Sequence, residues 1–179
     1  MFVGLSPTTL TSINQINIIL MSEELKNLAL ELLNRNLTIG TVENCTMGLV
    51  GASIGSVCAT PSIYKGSFVY FNDEVLKRWM ALKDEVIETK GLYSSQIAMI
   101  TAHYGVYMLN VDVCISVIGD AFVRGDGTNG TIWICVCKKK DGNIKFKYVK
   151  LESDSIRSKN IEKAISEALK ATVEHIKDE

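Results

Sequence analysis

Apolar positions along this chain change their period several times, and each change marks a new element. From Ser22 onward Leu25, Leu28, Ala29, Leu32 and Leu33 recur at three and four, which predicts a helix capped by Ser22, with Glu23 and Glu24 in its favourable first turn. Asn34-Arg35-Asn36 ends it. Leu37 to Val42 reads as a first strand, and Met47 to about Ser56 as a helix of small and apolar residues, where Gly51, Ala52 and Gly55 permit close packing on a sheet. Ser67 to Phe71 is a second strand, ended at Asn72-Asp73, with Asp73 capping a short helix through Trp79 and a polar stretch after it. Ser94 or Ser95 caps a helix through Leu109 that buries Ile97, Ile100, Thr101, Tyr104 and Met108.

Val111 to Ile118 is almost continuously apolar, the mark of a central strand covered on both faces. Gly119 to Gly130 has four glycines and no apolar period, so it is a loop. Thr131 to Cys137 is a strand, Asp141-Gly142 a hairpin turn, and Ile144, Phe146 and Tyr148 alternate with Lys145 and Lys147 along an antiparallel partner with one wetter face. Lys138-Lys139-Lys140 reads as a solvated edge that discourages further strand pairing. Ile161, Ala164, Ile165, Ala168, Leu169, Thr172, Val173 and Ile176 place a closing helix over about Ser158 to Ile176. Alternating helices and strands followed by one hairpin predict a three-layer α/β/α domain around a mixed sheet.

Composition narrows the partners. The 179 residues, 47% hydrophobic, can bury one substantial core. Nineteen basic and twenty acidic residues leave a formal charge of −1, and no basic stripe interleaved with aromatics appears, which speaks against nucleic acid. No run reaches the length of a transmembrane helix. The first twenty-two residues carry no charged side chain, and Asn14, Gln15 and Asn17 interrupt their apolar residues, unlike a secretory signal. Residues 1–21 are therefore expected to be an extension and 22–179 the folded domain. Five cysteines, an odd number without ligand-spaced histidines, fit a reducing cytoplasm and no zinc site.

The run Thr41-Val42-Glu43-Asn44-Cys45-Thr46-Met47-Gly48 links a strand to a helix. The unpaired amides of a first helical turn and the helix dipole make such a place attractive to phosphate or carboxylate, with Thr46, Met47 and Gly48 as donors.

That run resembles the T-A-E-S-C-T-G-G signature of the CinA family, whose C-terminal domain is known as nicotinamide mononucleotide deamidase. Gly66-Ser67-Phe68-Val69-Tyr70-Phe71-Asn72-Asp73 resembles its G-x-V-x-Y-S-N-E stretch, Gly91 and Ser94 its G-x-V-S, Val117 to Ala121 its V-T-G-I-A, Gly130 to Trp133 its G-T-V-W strand start, and Asp154 the aspartate before its last helix. The resemblance spans roughly residues 22–178. It implies a sheet of about five strands and a site where the Glu43–Gly48 turn meets Tyr70 and the Gly119 loop.

Two departures bear on activity. Asn44 stands where the family has its serine nucleophile, and Val75 where it has the lysine that assists it, with Lys77 two residues further on. A carboxamide has no proton to lose and its nitrogen lone pair is delocalised, while valine is no base. The expected catalytic residues are therefore none. Glu43, Asn44, Cys45, Thr46, Gly48, Tyr70, Asn72, Gly119 and Asp120 are the expected ligand-binding residues, with no cofactor and no metal. Cys45 and Thr46 are the candidate substitute nucleophiles, Cys45 because a thiol near a helix N-terminus has a lowered pKa, although the family motif already has Cys and Thr there beside its serine. Glu43, Asp120 and Asp126 could converge on Mg²⁺ but are more simply solvated carboxylates. His103 and His175 read as structural or solvated.

Three functions remain open: a catalytically silent relative that binds a nucleotide or sugar phosphate or a protein partner in a regulatory role; an active amidohydrolase on nicotinamide mononucleotide or a related amide; and an interaction scaffold whose pocket is closed by Met47 and Phe122. The expected partners are a small phosphorylated ligand and further copies of the chain.

Overall fold

A computed structural model describes residues 22–58, 62–123, 129–140 and 143–178. The described elements are α1 (Glu23–Arg35), β1 (Ile39–Glu43), α2 (Leu49–Val57), β2 (Tyr64–Val69), α3 (Asp73–Met80), α4 (Asp84–Lys90), α5 (Ser95–Met108), β3 (Val113–Gly119), β4 (Thr131–Lys140), β5 (Asn143–Glu152) and α6 (Arg157–Lys177). The five strands form one mixed sheet in the order β2-β1-β3-β4-β5, with β1 parallel to β2 and β3, and β4 antiparallel to β3 and β5.

Two apolar layers cover the sheet. On one face Leu25, Leu28 and Leu32 of α1, Val50 and Ile54 of α2, and Ile161, Ile165 and Leu169 of α6 pack on Ile39, Val113, Ile115, Val117, Ile134 and Val136. On the other, Leu76 and Met80 of α3 and Ile97, Ala98, Ala102 and Val106 of α5 pack on Val42, Cys114, Ile118, Cys135 and Cys137. The expected α/β/α sandwich is the fold, and β3 is buried along its whole length.

Several local expectations give way. The second helix begins at Leu49 rather than Met47, because Met47 and Gly48 adopt left-handed backbone (φ 55° and 88°) in a turn before it. Asn72, not Asp73, caps α3: its side-chain oxygen accepts the Glu74 N–H at 2.7 Å. The polar stretch after Trp79 contains a further helix, α4. Leu33 and Met108, both counted as apolar stripe positions, are more than half exposed. Each neighbours a stripe already wide enough to fill the contact, Leu25, Leu28 and Leu32 in α1 and Ile97, Thr101 and Ala102 in α5.

The triple-lysine reading is also corrected. Lys138 lies inside β4, a central strand, and is 5% exposed. Its ammonium donates to the carbonyl oxygens of His175 at 3.4 Å and Ile176 at 3.1 Å, so a buried cation closes the negative end of α6. Lys140 pairs with Asn143, and the turn expected at Asp141-Gly142 lies outside the described residues.

Candidate functional site

Glu43 ends β1 pointing into the start of α2, and none of its surface is exposed. Its Oε1 accepts from the Thr41 hydroxyl at 2.8 Å and the Gly51 N–H at 2.8 Å; its Oε2 accepts from the Thr46 hydroxyl at 2.7 Å and the Val50 N–H at 3.1 Å. The charge-assisted bonds and the positive end of α2 offset the cost of burying the carboxylate. Thr46 is fully buried by the same arrangement. The Met47 N–H donates to the Asn44 carbonyl oxygen, so one of the three amides expected to face an anion has an internal acceptor.

Asn44 is 2% exposed and spans three strand ends. Its backbone N–H donates to Val117 O at 3.0 Å, its side-chain Nδ2 donates to Tyr70 O at 3.5 Å, and its Oδ1 accepts the Gly119 N–H at 3.4 Å. Gly119 (φ 154°) tolerates no side chain, since a Cβ there would overlap the Thr131 carbonyl. Asp120 follows, its carboxylate accepting the Phe122 N–H at 3.0 Å and its carbonyl oxygen the Ser153 hydroxyl at 2.7 Å.

Cys45 is 2% exposed, and its thiol is pushed up to about 12, chiefly by burial, with Glu43 and Asp120 adding to the effect and Arg157 opposing it. Burial outweighs the helix terminus, and the lowered pKa expected of this thiol does not occur. Tyr70 is 4% exposed and packs in the α5-side core; burial pushes its phenol up, and Tyr93 and Cys45 beside it do the same. Gly48, Asn44, Cys45, Thr46, Tyr70, Gly119 and Asp120 thus gather at the C-terminal ends of β1, β2 and β3. Asn72 lies just beyond them as the exposed cap of α3.

Val75 packs half-buried against the α5-side core. Lys77 is ion-paired: its ammonium lies 2.6 Å from Asp84 and 3.7 Å from Asp73, and the Asp84 hydrogen bond raises its pKa. Asp126 lies outside the described residues; among those described, no group of three His, Cys, Asp or Glu side chains could hold a metal ion. His103 is an exposed α5 residue with its ring 5.0 Å from Tyr107, whereas His175 is buried at the far end of α6.

One residue of this region was not anticipated. Arg157, first in α6, donates to the Cys45 carbonyl oxygen at 3.2 Å and lies 5.2 Å over the Phe122 ring. With Phe122, Val123, Asp154, Ser155 and Ile156 it lines an open depression of about 330 Å³ beside the Asn44 turn. The 112-residue separation from Cys45 hid it, and the one available cue was a cation at the start of a helix, where an anion is the usual choice. Met47 and Phe122 are each 51% exposed, so neither is buried as a plug.

A five-stranded mixed α/β/α sandwich, with its candidate residues collected where the parallel strands end, defines the class. The model of the CinA C-terminal domain matches residues 22–176, and the chain belongs to that family. A relative in Listeria welshimeri is 35% identical over 121 residues, 66% of this chain and 29% of its own length. A CinA-like protein of Dictyoglomus thermophilum is 30% identical over 74% of this chain and 33% of its own. The match thus spans about a third of these relatives. A Mycoplasma pneumoniae protein named MG115 homolog is 25% identical over 85% of this chain and 96% of its own. Among solved structures, the competence damage-inducible protein A of Klebsiella pneumoniae superposes with a TM-score of 0.73 at 22% identity over 85% of this chain and 94% of that one, a likeness of fold. No described helix is long and apolar enough to cross a membrane.

Proposed function

We propose that this chain is a catalytically silent relative of the nicotinamide mononucleotide deamidases that binds a nucleotide or sugar phosphate at the C-terminal ends of β1, β2 and β3 and acts by regulation in the cytoplasm. The observation that carries the reading is Asn44. At the position of the family's serine stands a buried carboxamide whose oxygen and nitrogen are both engaged by neighbouring strand ends. It offers no nucleophile, and Val75 and the ion-paired Lys77 offer no base. An active amidohydrolase would need Cys45, whose thiol burial pushes up to about 12. A scaffold with a closed pocket is disfavoured by the exposure of Met47 and Phe122.

The test is a thermal-shift screen of nucleotides and sugar phosphates. A ligand at a hundred times its dissociation constant adds about 2.7 kcal/mol of stability. A stabilising nucleotide whose effect is lost when Arg157 or Asp120 is replaced supports the reading; a screen without any stabilising ligand contradicts it.

A further inference from the structure

The start of α2 already contains an anion, the Glu43 carboxylate. Four donors converge on it, two hydroxyls and the amides of Val50 and Gly51. The hydroxyl side of this cradle continues into β2: the Thr41 hydroxyl lies in hydrogen-bond contact with that of Ser67, and Ser67 with the Tyr64 phenol at 2.6 Å. The convergence of donors on both Glu43 oxygens fixes the direction of donation. Thr41 must give its proton to the carboxylate, so Ser67 donates to Thr41 and Tyr64 to Ser67. Gly51 makes the arrangement possible, since a Cβ there would overlap both the Ser67 and Tyr64 hydroxyls.

We propose that Glu43 determines specificity by filling the anion seat at the N-terminus of α2 from within. The seat's amides and the helix's positive end are both spent on it. A ligand phosphate or carboxylate brought there would find the Val50 and Gly51 amides already engaged by the Glu43 carboxylate. The Asn44–Gly48 turn therefore takes an uncharged part of the ligand, a hydroxyl or carboxamide, and any phosphate lies elsewhere. The ligand half of this inference rests on the binding function proposed above; the seat itself can be tested without that ligand.

The experiment follows the Val50 and Gly51 amide resonances and the melting temperature while inorganic phosphate or acetate is added at constant ionic strength. In the wild-type protein neither anion should move those amides. In Glu43→Ala, acetate should move both saturably and raise the melting temperature, because it restores the missing carboxylate. Glu43→Gln should be destabilised and not rescued, since its carboxamide fills the seat while turning an NH₂ toward donors. Should Glu43→Ala not fold alone, recovery of the folded fraction on refolding in acetate supports the seat, and no recovery overturns it. A saturable phosphate shift at wild-type Val50 and Gly51, or a folded Glu43→Ala indifferent to acetate, also overturns it. Acetate rescue together with a negative nucleotide screen would overturn the ligand-binding function and leave the seat standing.

Discussion

The side-chain oxygen of Asn44 accepts the Gly119 N–H at 3.4 Å, tying the end of β1 to the end of β3. Its Nδ2 reaches Tyr70 O on the other side. Truncation leaves a buried donor and a buried acceptor without partners, so Asn44→Ala should cost about 1–3 kcal/mol in urea unfolding. A loss below a few tenths would mean that the carboxamide does not hold these strand ends.

Cys45 should behave as an inert thiol. With its pKa pushed up to about 12, roughly one molecule in ten thousand carries a thiolate at pH 8. Alkylation by iodoacetamide, followed by peptide mass spectrometry, should label Cys45 only as fast as the protein opens. Rapid native labelling would return the thiol to the list of nucleophiles.

The order of the strands along the chain, every described helix but α4, and the burial of β3 were legible because strand and helix periods are local properties. What stayed hidden depended on contacts between distant segments. Glu43 reads in the sequence as a ligand-facing acid, and only the packing of α2 against the end of β1 brings Val50 and Gly51 onto its oxygens. Lys138 reads as one of three solvated lysines, yet β4 runs centrally and carries it beneath the end of α6. Arg157 meets Cys45 and Phe122 only because β5 returns the chain to the site end of the sheet.

Stability should fall in mild acid through His175. The imidazole is buried, its Nε2 has no hydrogen-bond partner among the described residues, and its pKa is lowered, first by burial and further by the nearby Lys138 charge. A group lowered in the folded state binds fewer protons there than in the unfolded chain, so its contribution is complete above about pH 6.5 and is lost as the pH drops toward the folded value. Urea midpoints between about pH 7 and pH 5 should decline in the wild type and less steeply in His175→Gln. Parallel declines would place the acid sensitivity elsewhere.

Supplying the two groups that the proposed function takes to be lost probes the pocket. Asn44→Ser with Val75→Lys supplies a hydroxyl and an amine, and Met47→Gly relieves a left-handed backbone. Release of ammonia from nicotinamide mononucleotide should appear only in the combined variant, because each group is idle without the other. The gain should be weak, since a 1 Å misplacement can cost about a hundredfold. A folded triple variant that neither turns over nor binds the nucleotide would show that the pocket is lost.

Catalytic silence itself is tested by incubating the unmodified protein with nicotinamide mononucleotide and measuring ammonia against an active deamidase of the family. No release above the enzyme-free rate is expected, and the same null result for Asn44→Ala. Turnover comparable to the active enzyme, abolished in Asn44→Ala, would contradict it.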